Sequence, residues 1–336
     1  MSQARIAPAG RAQLKLAAAF QVPSDKRSAW QFASTGALYA GLLALMYLAY
    51  QVSPWLTLPL ALPAGGLVVR LFIIQHDCGH GSYFRHRWAN VSVGWLCSLA
   101  TMTPFGLWRR HHSVHHASWN NLDKRDNGTD IYSTIITLRE YQALSRWRRL
   151  GWRLLLHPLV SQLIIPPVVF LVLYRVPFDT PRTWTRERRQ VWLLNAGLVL
   201  GLGGLAWLLG PWPVLLVQAS VVAVAAIVGV WLFSIQHRFE DSLWVRGEAW
   251  SAVSAAVHGS SFLKLPGWLH WFTGSIGYHH VHHLVPRVPN YRLRACHEAC
   301  SELFGGATVL TLWQALRAPL FVLWDEENGR MVPFPS

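Results

Sequence analysis

Three short clusters of histidine, far apart in the chain, hold the side chains best suited to chemistry. They are His76-Asp77-Cys78-Gly79-His80, His111-His112-Ser113-Val114-His115-His116 and His279-His280-Val281-His282-His283. On a helix, residues three and four apart share a face, so His76 and His80 can point at one spot. The same spacing gathers His112, His115 and His116, and again His279, His282 and His283. Imidazole ligates iron, copper, nickel and zinc, but eight convergent rings are too many for one ion. The arithmetic favours two metal ions sharing the set.

Other groups in these segments have secondary roles. His111 and His280 are the surplus members of doubled pairs; they face elsewhere or support the ligating rings. Asp77, Asp130, Glu240 and Asp241 can accept N–H bonds from metal-bound imidazoles, or serve as solvated acids and helix caps. The chain contains no E-x-x-H and no H-E-x-x-H, so neither a ferritin-like carboxylate site nor a zincin protease is supported. Neutral imidazoles leave the cation charge largely uncompensated, which suits strongly oxidising chemistry.

The elements that must position these rings are apolar. Of the 336 residues 52% are hydrophobic and 14% charged, with 19 Trp, whereas soluble domains carry about 25% charged residues. Long apolar runs predict membrane spans over 37–52, 55–74, 191–209 and 214–235. Stretches 91–107 and 154–174 read as interfacial or re-entrant, the latter carrying Pro158, Pro166 and Pro167. Both short inter-helix loops lack charge and every long segment is basic, which places the termini and all three clusters in the cytoplasm. The expected fold is an all-α integral membrane protein, with four transmembrane helices in two hairpins and a cytosolic helical cap carrying the histidines. Residues 1–34 form a cytoplasmic arm, 35–300 the membrane domain and 301–336 a cytoplasmic tail.

The net charge of +14 does not indicate nucleic acid. The basic residues lie between apolar runs, no nucleic-acid motif accompanies them, and anionic lipid headgroups are the natural partner. Four cysteines (Cys78, Cys97, Cys296, Cys300) are too scattered for a disulfide framework and fit a reducing face.

The segments "HDCGHGSYFRHRWAN", "WRRHHSVHHAS", "IQHRFED" and "GYHHVHHLVPRVPNYRL" resemble the membrane-bound fatty acid desaturases, most closely the bacterial and plastid acyl-lipid (omega-6 type) enzymes. The resemblance runs from about Gln75 to Cys300. It implies two iron ions held by the eight cluster histidines and His237, which follows the last span as a metal-binding histidine does in many members. It implies O2 as co-substrate, an acyl lipid or acyl thioester as substrate, and a cis double bond as product. No cytochrome b5 signature is fused to the chain, so electrons come from a separate donor, ferredoxin-like or cytochrome b5-like. A bacterial inner membrane is the expected location. Two departures put substrate and regiochemistry in question: Ser275 stands where many acyl-lipid relatives have Asn, and Arg238 where they have Gln.

An acyl chain must reach the irons through an apolar channel, for which Trp95, Phe105, Trp108, Trp268, Trp271 and Phe272 are the expected walls. Arg109, Arg110 and Arg238 are candidates to hold an anionic headgroup. Related chemistry (a hydroxylase, ketolase or acetylenase) is the runner-up. A histidine-rich metal transporter is the alternative of another class, although the two later spans carry no ionisable residue to line an ion path. A haem carrier would need paired axial histidines on facing helices.

Overall fold

The computed structural model describes residues 8–125 and 135–335. The chain is mostly helical, with little sheet. Helix α1 (Pro8–Ala19) is followed by α2 (Asp25–Val52), then a turn through Ser53 and Pro54, then α3 (Thr57–His80). Pro54 cannot donate a backbone hydrogen bond and so closes the first long helix. Helix α3 stops at Gly81, whose φ of +65° lies in the left-handed region. The Gly81 N–H bonds to the Cys78 carbonyl and the Ser82 N–H to that of Asp77, closing the helix end within one residue of His80.

Helices α4 (Arg87–Thr101) and α5 (Phe105–Ser118) meet at a 101° bend. Stretch 91–107 is therefore divided rather than a single helix, because Pro104 starts α5 and restricts Thr103 before it. The second histidine cluster rides on α5. Strand β1 (Ile136–Thr137), α6 (Leu138–Ala143) and α7 (Arg146–Leu155) follow. A π-helical turn over Leu159–Ile164 then leads into α8 (Ile165–Leu171), with a 47° bend between Arg146–Leu155 and Leu159–Arg175. Pro166 and Pro167 remove two N–H donors there, which displaces the helical register.

Helix α9 (Thr185–Leu209) and α10 (Pro211–His237) are joined at Gly210. Among the described residues four helical stretches are long and apolar enough to cross a membrane: Asp25–Val52, Pro54–His80, Thr185–Leu209 and Pro211–His237. Each overlaps an expected span and extends it, chiefly at the polar end. Helices α3 and α10 form the centre, and α2 and α9 pack on them. Contact between α3 and α10 is close at Gly65, where an added Cβ would lie 2.5 Å from Val224. The outer helices turn large apolar side chains outward, among them Leu48, Val199, Leu200 and Trp207. Such a surface requires apolar surroundings.

The remainder is a set of short elements: α11 (Ala252–His258), β2 (Ser261–Leu263), α12 (Gly267–Phe272), α13 (His279–Leu284), α14 (Leu293–Ala299), α15 (Ser301–Phe304), β3 (Thr308–Leu310), α16 (Leu312–Arg317), β4 (Leu323–Asp325) and β5 (Arg330–Val332). Strand β3 lies parallel to β2, while β4 lies parallel to β1 and antiparallel to β5. Residues 301–335 are thus built into the fold rather than trailing from it. Leu310 and Ala315 are buried in the core around α3 and α10, and Leu323 is buried beside Tyr141.

Candidate metal centre

Four helices end at, or carry, one knot of imidazoles: the last turn of α3, the face of α5, the last residue of α10, and α13. Ring nitrogens of His76, His80, His112, His116 and His282 lie within 4.8 Å of one another, as do those of His115, His237 and His283. His279 joins the second group, with its Nε2 2.9 Å from that of His237 and 3.1 Å from that of His283. The nine rings form a group of five beside a group of four.

Hydrogen bonding cannot account for this packing. In the first group, His116 Nε2 lies 3.1 Å from His112 Nε2 and 3.0 Å from His282 Nε2, which is itself 3.0 Å from His76 Nε2. A ring nitrogen offers either one lone pair or one N–H, along one direction. It cannot serve two such neighbours at once. A cation at the common focus can, because metal–imidazole bonds of about 2.1 Å set adjacent donor nitrogens about 3.0 Å apart at right angles. Desolvation, then the neighbouring rings, push His112, His116, His279, His282 and His283 well below the ordinary histidine range. Neutral rings keep their lone pairs free, which is the state metal binding needs. The residues present therefore fit a pair of metal ions.

Aromatic rings screen the knot. Trp108 stacks on His112 at 4.6 Å between centroids, and Trp119 lies 4.1 Å from His237. Against these rings opens an apolar cavity. His76, His112, His115 and His279 line it at one part, and Phe72, Val222, Ala226 and Phe233 wall it from α3 and α10. Phe170, Tyr174 and Phe178, from α8 and the turns after it, complete the enclosure.

The sequence matches the fatty acid desaturase family model over residues 53–314. It is 42% identical over 334 residues to a fatty acid desaturase of Bacillus subtilis (strain 168), covering 99% of this chain and 93% of that protein. The chain belongs to the fatty acid desaturase family. More distant relatives are the sn-1 oleoyl-lipid 12-desaturase of Synechocystis (27% identity; 85% of this chain, 79% of the relative) and the sn-1 acyl-lipid omega-3 desaturase (ferredoxin) of Nostoc (28%; 79% and 73%). Members are oxidoreductases, and the four apolar helices make this desaturase a membrane protein. A metal transporter is not favoured.

Within this desaturase, the remaining expected site residues are placed as follows. Asp77 accepts from His76 Nδ1 at 3.1 Å. His111 turns to Asp179 at 3.5 Å and packs near Trp184, while His280 bonds to His297 at 2.9 Å. Glu240 pairs with Arg330 at the surface, Asp241 is exposed, and neither has a recorded bond to a ring of the knot among the described residues. Asp130 lies outside the described residues.

Of the six aromatic residues expected to wall the channel, Trp108 lines the cavity. The other five lie elsewhere. Trp95 and Phe105 pack with the α3 and α4 core, Trp271 stacks under Arg70, Phe272 covers Gly66, and Trp268 is exposed. Sequence reasoning missed Asn290, which donates its backbone N–H (2.7 Å) and its amide N–H (2.8 Å) to Asp77 Oδ2. The available signal was its place in the "VPNYRL" segment that follows the third cluster.

Proposed function

We propose that this protein is an O2-dependent di-iron acyl desaturase that introduces a cis double bond into a membrane-associated acyl chain. The observation that carries the reading is the apolar cavity ending on the histidine knot, which sets a methylene run against the metal-binding side chains. His76, His80, His112, His116 and His282 would hold one iron, and His115, His237, His279 and His283 the other. Iron supplies the electron-transfer chemistry that activates O2 when it is bound. The chain's own residues do the rest: Asp77 orients the His76 ring, Trp108 and Trp119 keep water from the knot, and the cavity walls hold the acyl chain extended. Overall, the acyl chain loses two hydrogens; O2, two electrons and two protons complete the balance, giving an alkene and two waters.

An sn-1 acyl lipid is the substrate class that the names of two relatives suggest, and a ferredoxin-like donor is suggested by one of them. An acyl thioester and a cytochrome b5-like donor remain the other options. The membrane domain would consist of two hairpins, α2–α3 and α9–α10, carrying a cytosolic cap, with both termini cytoplasmic in a bacterial inner membrane. Parity supports this arrangement. His115 on α5 and His237 at the end of α10 meet at 3.1 Å, so the chain between them crosses an even number of times. With α9 and α10 each crossing, the bent segment 146–175 enters and returns.

Lipid profiling of cells expressing the protein tests the reading. New cis-unsaturated acyl chains should appear, dependent on O2 and absent with His115→Ala. A hydroxylated product, or no product with both irons bound, would overturn it.

A further inference from the structure

We propose that Asn290 and Gln31 are positioning residues for the metal knot, linking the His76 ring to the first long helix through Asp77; the inference rests on the di-metal reading. The hydrogen bonds run without a break through buried groups. His76 Nδ1–H donates to Asp77 Oδ1 at 3.1 Å, and Asn290 donates twice to Asp77 Oδ2. Asn290 Oδ1 accepts from Gln31 Nε2–H at 2.9 Å, and Gln31 Oε1 accepts from Tyr83 O–H at 3.1 Å. Tyr83 O–H also lies 2.9 Å from the Ser28 carbonyl, one turn earlier on α2. Every member is at least nine-tenths buried.

The arrangement has a directional consequence. A carboxylate only accepts, so each donor to Asp77 fixes one of its oxygens and hence the tautomer of His76. With Nδ1 carrying the proton, the His76 Nε2 lone pair is aimed into the group of five. Gln31 is the only polar contact recorded to the Asn290 amide oxygen among the described residues, so its amide selects the rotamer that turns the Asn290 N–H groups toward Asp77. Helix α2 otherwise buries few residues, and its polar buried ones, Ser28, Gln31 and Thr35, lie on one face. A membrane helix that supplies no ligand thereby reaches the metal ligands through three side chains.

The test is Fe(II) titration of purified, metal-free protein for the wild type, Asn290→Ala, Gln31→Met and the double variant, with helix content and thermal midpoint measured beside it. Positioning partners of metal-bound histidine typically shift affinity about 10–100-fold. Asn290→Ala, which keeps its backbone donor, should weaken iron binding about 10-fold, and Gln31→Met should weaken it in the same direction. The double variant should be no weaker than Asn290→Ala alone. Turnover at full iron loading should fall in kcat with KM unchanged. Unchanged iron affinity in folded Asn290→Ala or Gln31→Met, or additive losses in the double variant, would overturn the proposal. If Asn290→Ala does not fold, Gln31→Met decides alone. Failure of the desaturase reading would show separately, as absent product in wild-type protein that binds iron normally.

Discussion

The rings of His116 and His283 stack with centroids 4.4 Å apart and planes 25° from parallel, although the two belong to different histidine groups. His116 lies in the group of five and His283 in the group of four. Two ions held by these groups would share a wall made of their own ligands, and neither position could be remodelled without moving the other. Wild-type protein should carry about two irons per chain, an expectation from ligand number. His116→Ala should lower occupancy of both positions and abolish turnover. Metal analysis that finds one iron fully retained in this variant would show the two positions to be independent.

Acid should strip the site. Desolvation and neighbouring rings hold His112, His116, His279, His282 and His283 well below the ordinary range in the folded protein. Unfolded histidine titrates near about pH 6.5. Below that value the unfolded chain binds more protons than the folded one, so the metal-free fold is stable above it and loses stability as pH falls. Protons compete with metal for the same nitrogens and act in the same direction. Iron retained after dialysis at neutral pH should be lost progressively below about pH 6. Retention unchanged to about pH 5 would mean that other donors hold the ion.

Gly229 lines the cavity on α10, and an added Cβ there would meet nothing within 4 Å. Gly229→Leu should therefore fold, bind iron and shorten the space for the acyl chain. The product profile should move toward shorter chains or a shifted double bond, read by gas chromatography of total lipid. Trp268→Ala, at a residue 65% exposed and outside the cavity lining, should leave the profile as it was. Identical profiles for wild type and Gly229→Leu would place the acyl path elsewhere.

Much of this was legible from spacing, because ligand geometry on a short helix is a local property. His112, His115 and His116 share a face whatever surrounds them, and long apolar runs announce spans without a partner. The cavity was not legible. Phe72 and Phe233 look like any apolar span residue until α3 and α10 are set side by side. Helix α2 begins at Asp25, twelve residues before the apolar run at 37, and its buried Ser28 and Gln31 bond to Tyr83 and Asn290, partners no local pattern announces. Strands β3 and β4 are three residues each and pair with strands well before them in the chain, β2 and β1, which no local signal announces. The role of Asn290 was not legible, since nothing in one sequence connects it to Asp77.

Ser275 has a φ of +58°, in the left-handed region that Asn and Gly enter more readily than Ser. The resemblance to acyl-lipid desaturases implies Asn at this place, and the backbone geometry favours Asn there without any contact to metal. Ser275→Asn and Ser275→Gly should both raise the thermal midpoint, by an amount corresponding to about 0.5–1 kcal/mol. Regiochemistry should not change. A switch of double-bond position in Ser275→Asn would mean that the side chain acts on the substrate.

Topology can be read by impermeant thiol labelling, since the four native cysteines are all buried and should stay silent. Arg148 lies at the start of the bent segment and Arg182 beyond its end, and Trp55 and Trp212 mark the two short uncharged loops. All four positions are exposed, and each can be replaced singly by cysteine. The meeting of His115 with His237 demands an even number of crossings between α5 and the end of α10. If α9 and α10 both cross, that count is met and 146–175 makes no crossing. Its kink, its π-helical turn and its proline pair suit a segment that dips and returns. Arg148→Cys and Arg182→Cys should then label from the cytoplasmic side, where positive charge accumulates. Trp55→Cys and Trp212→Cys should label from the opposite side. Labelling of Arg148→Cys and Arg182→Cys from different sides would mean that the bent segment spans the membrane and that either α9 or α10 does not.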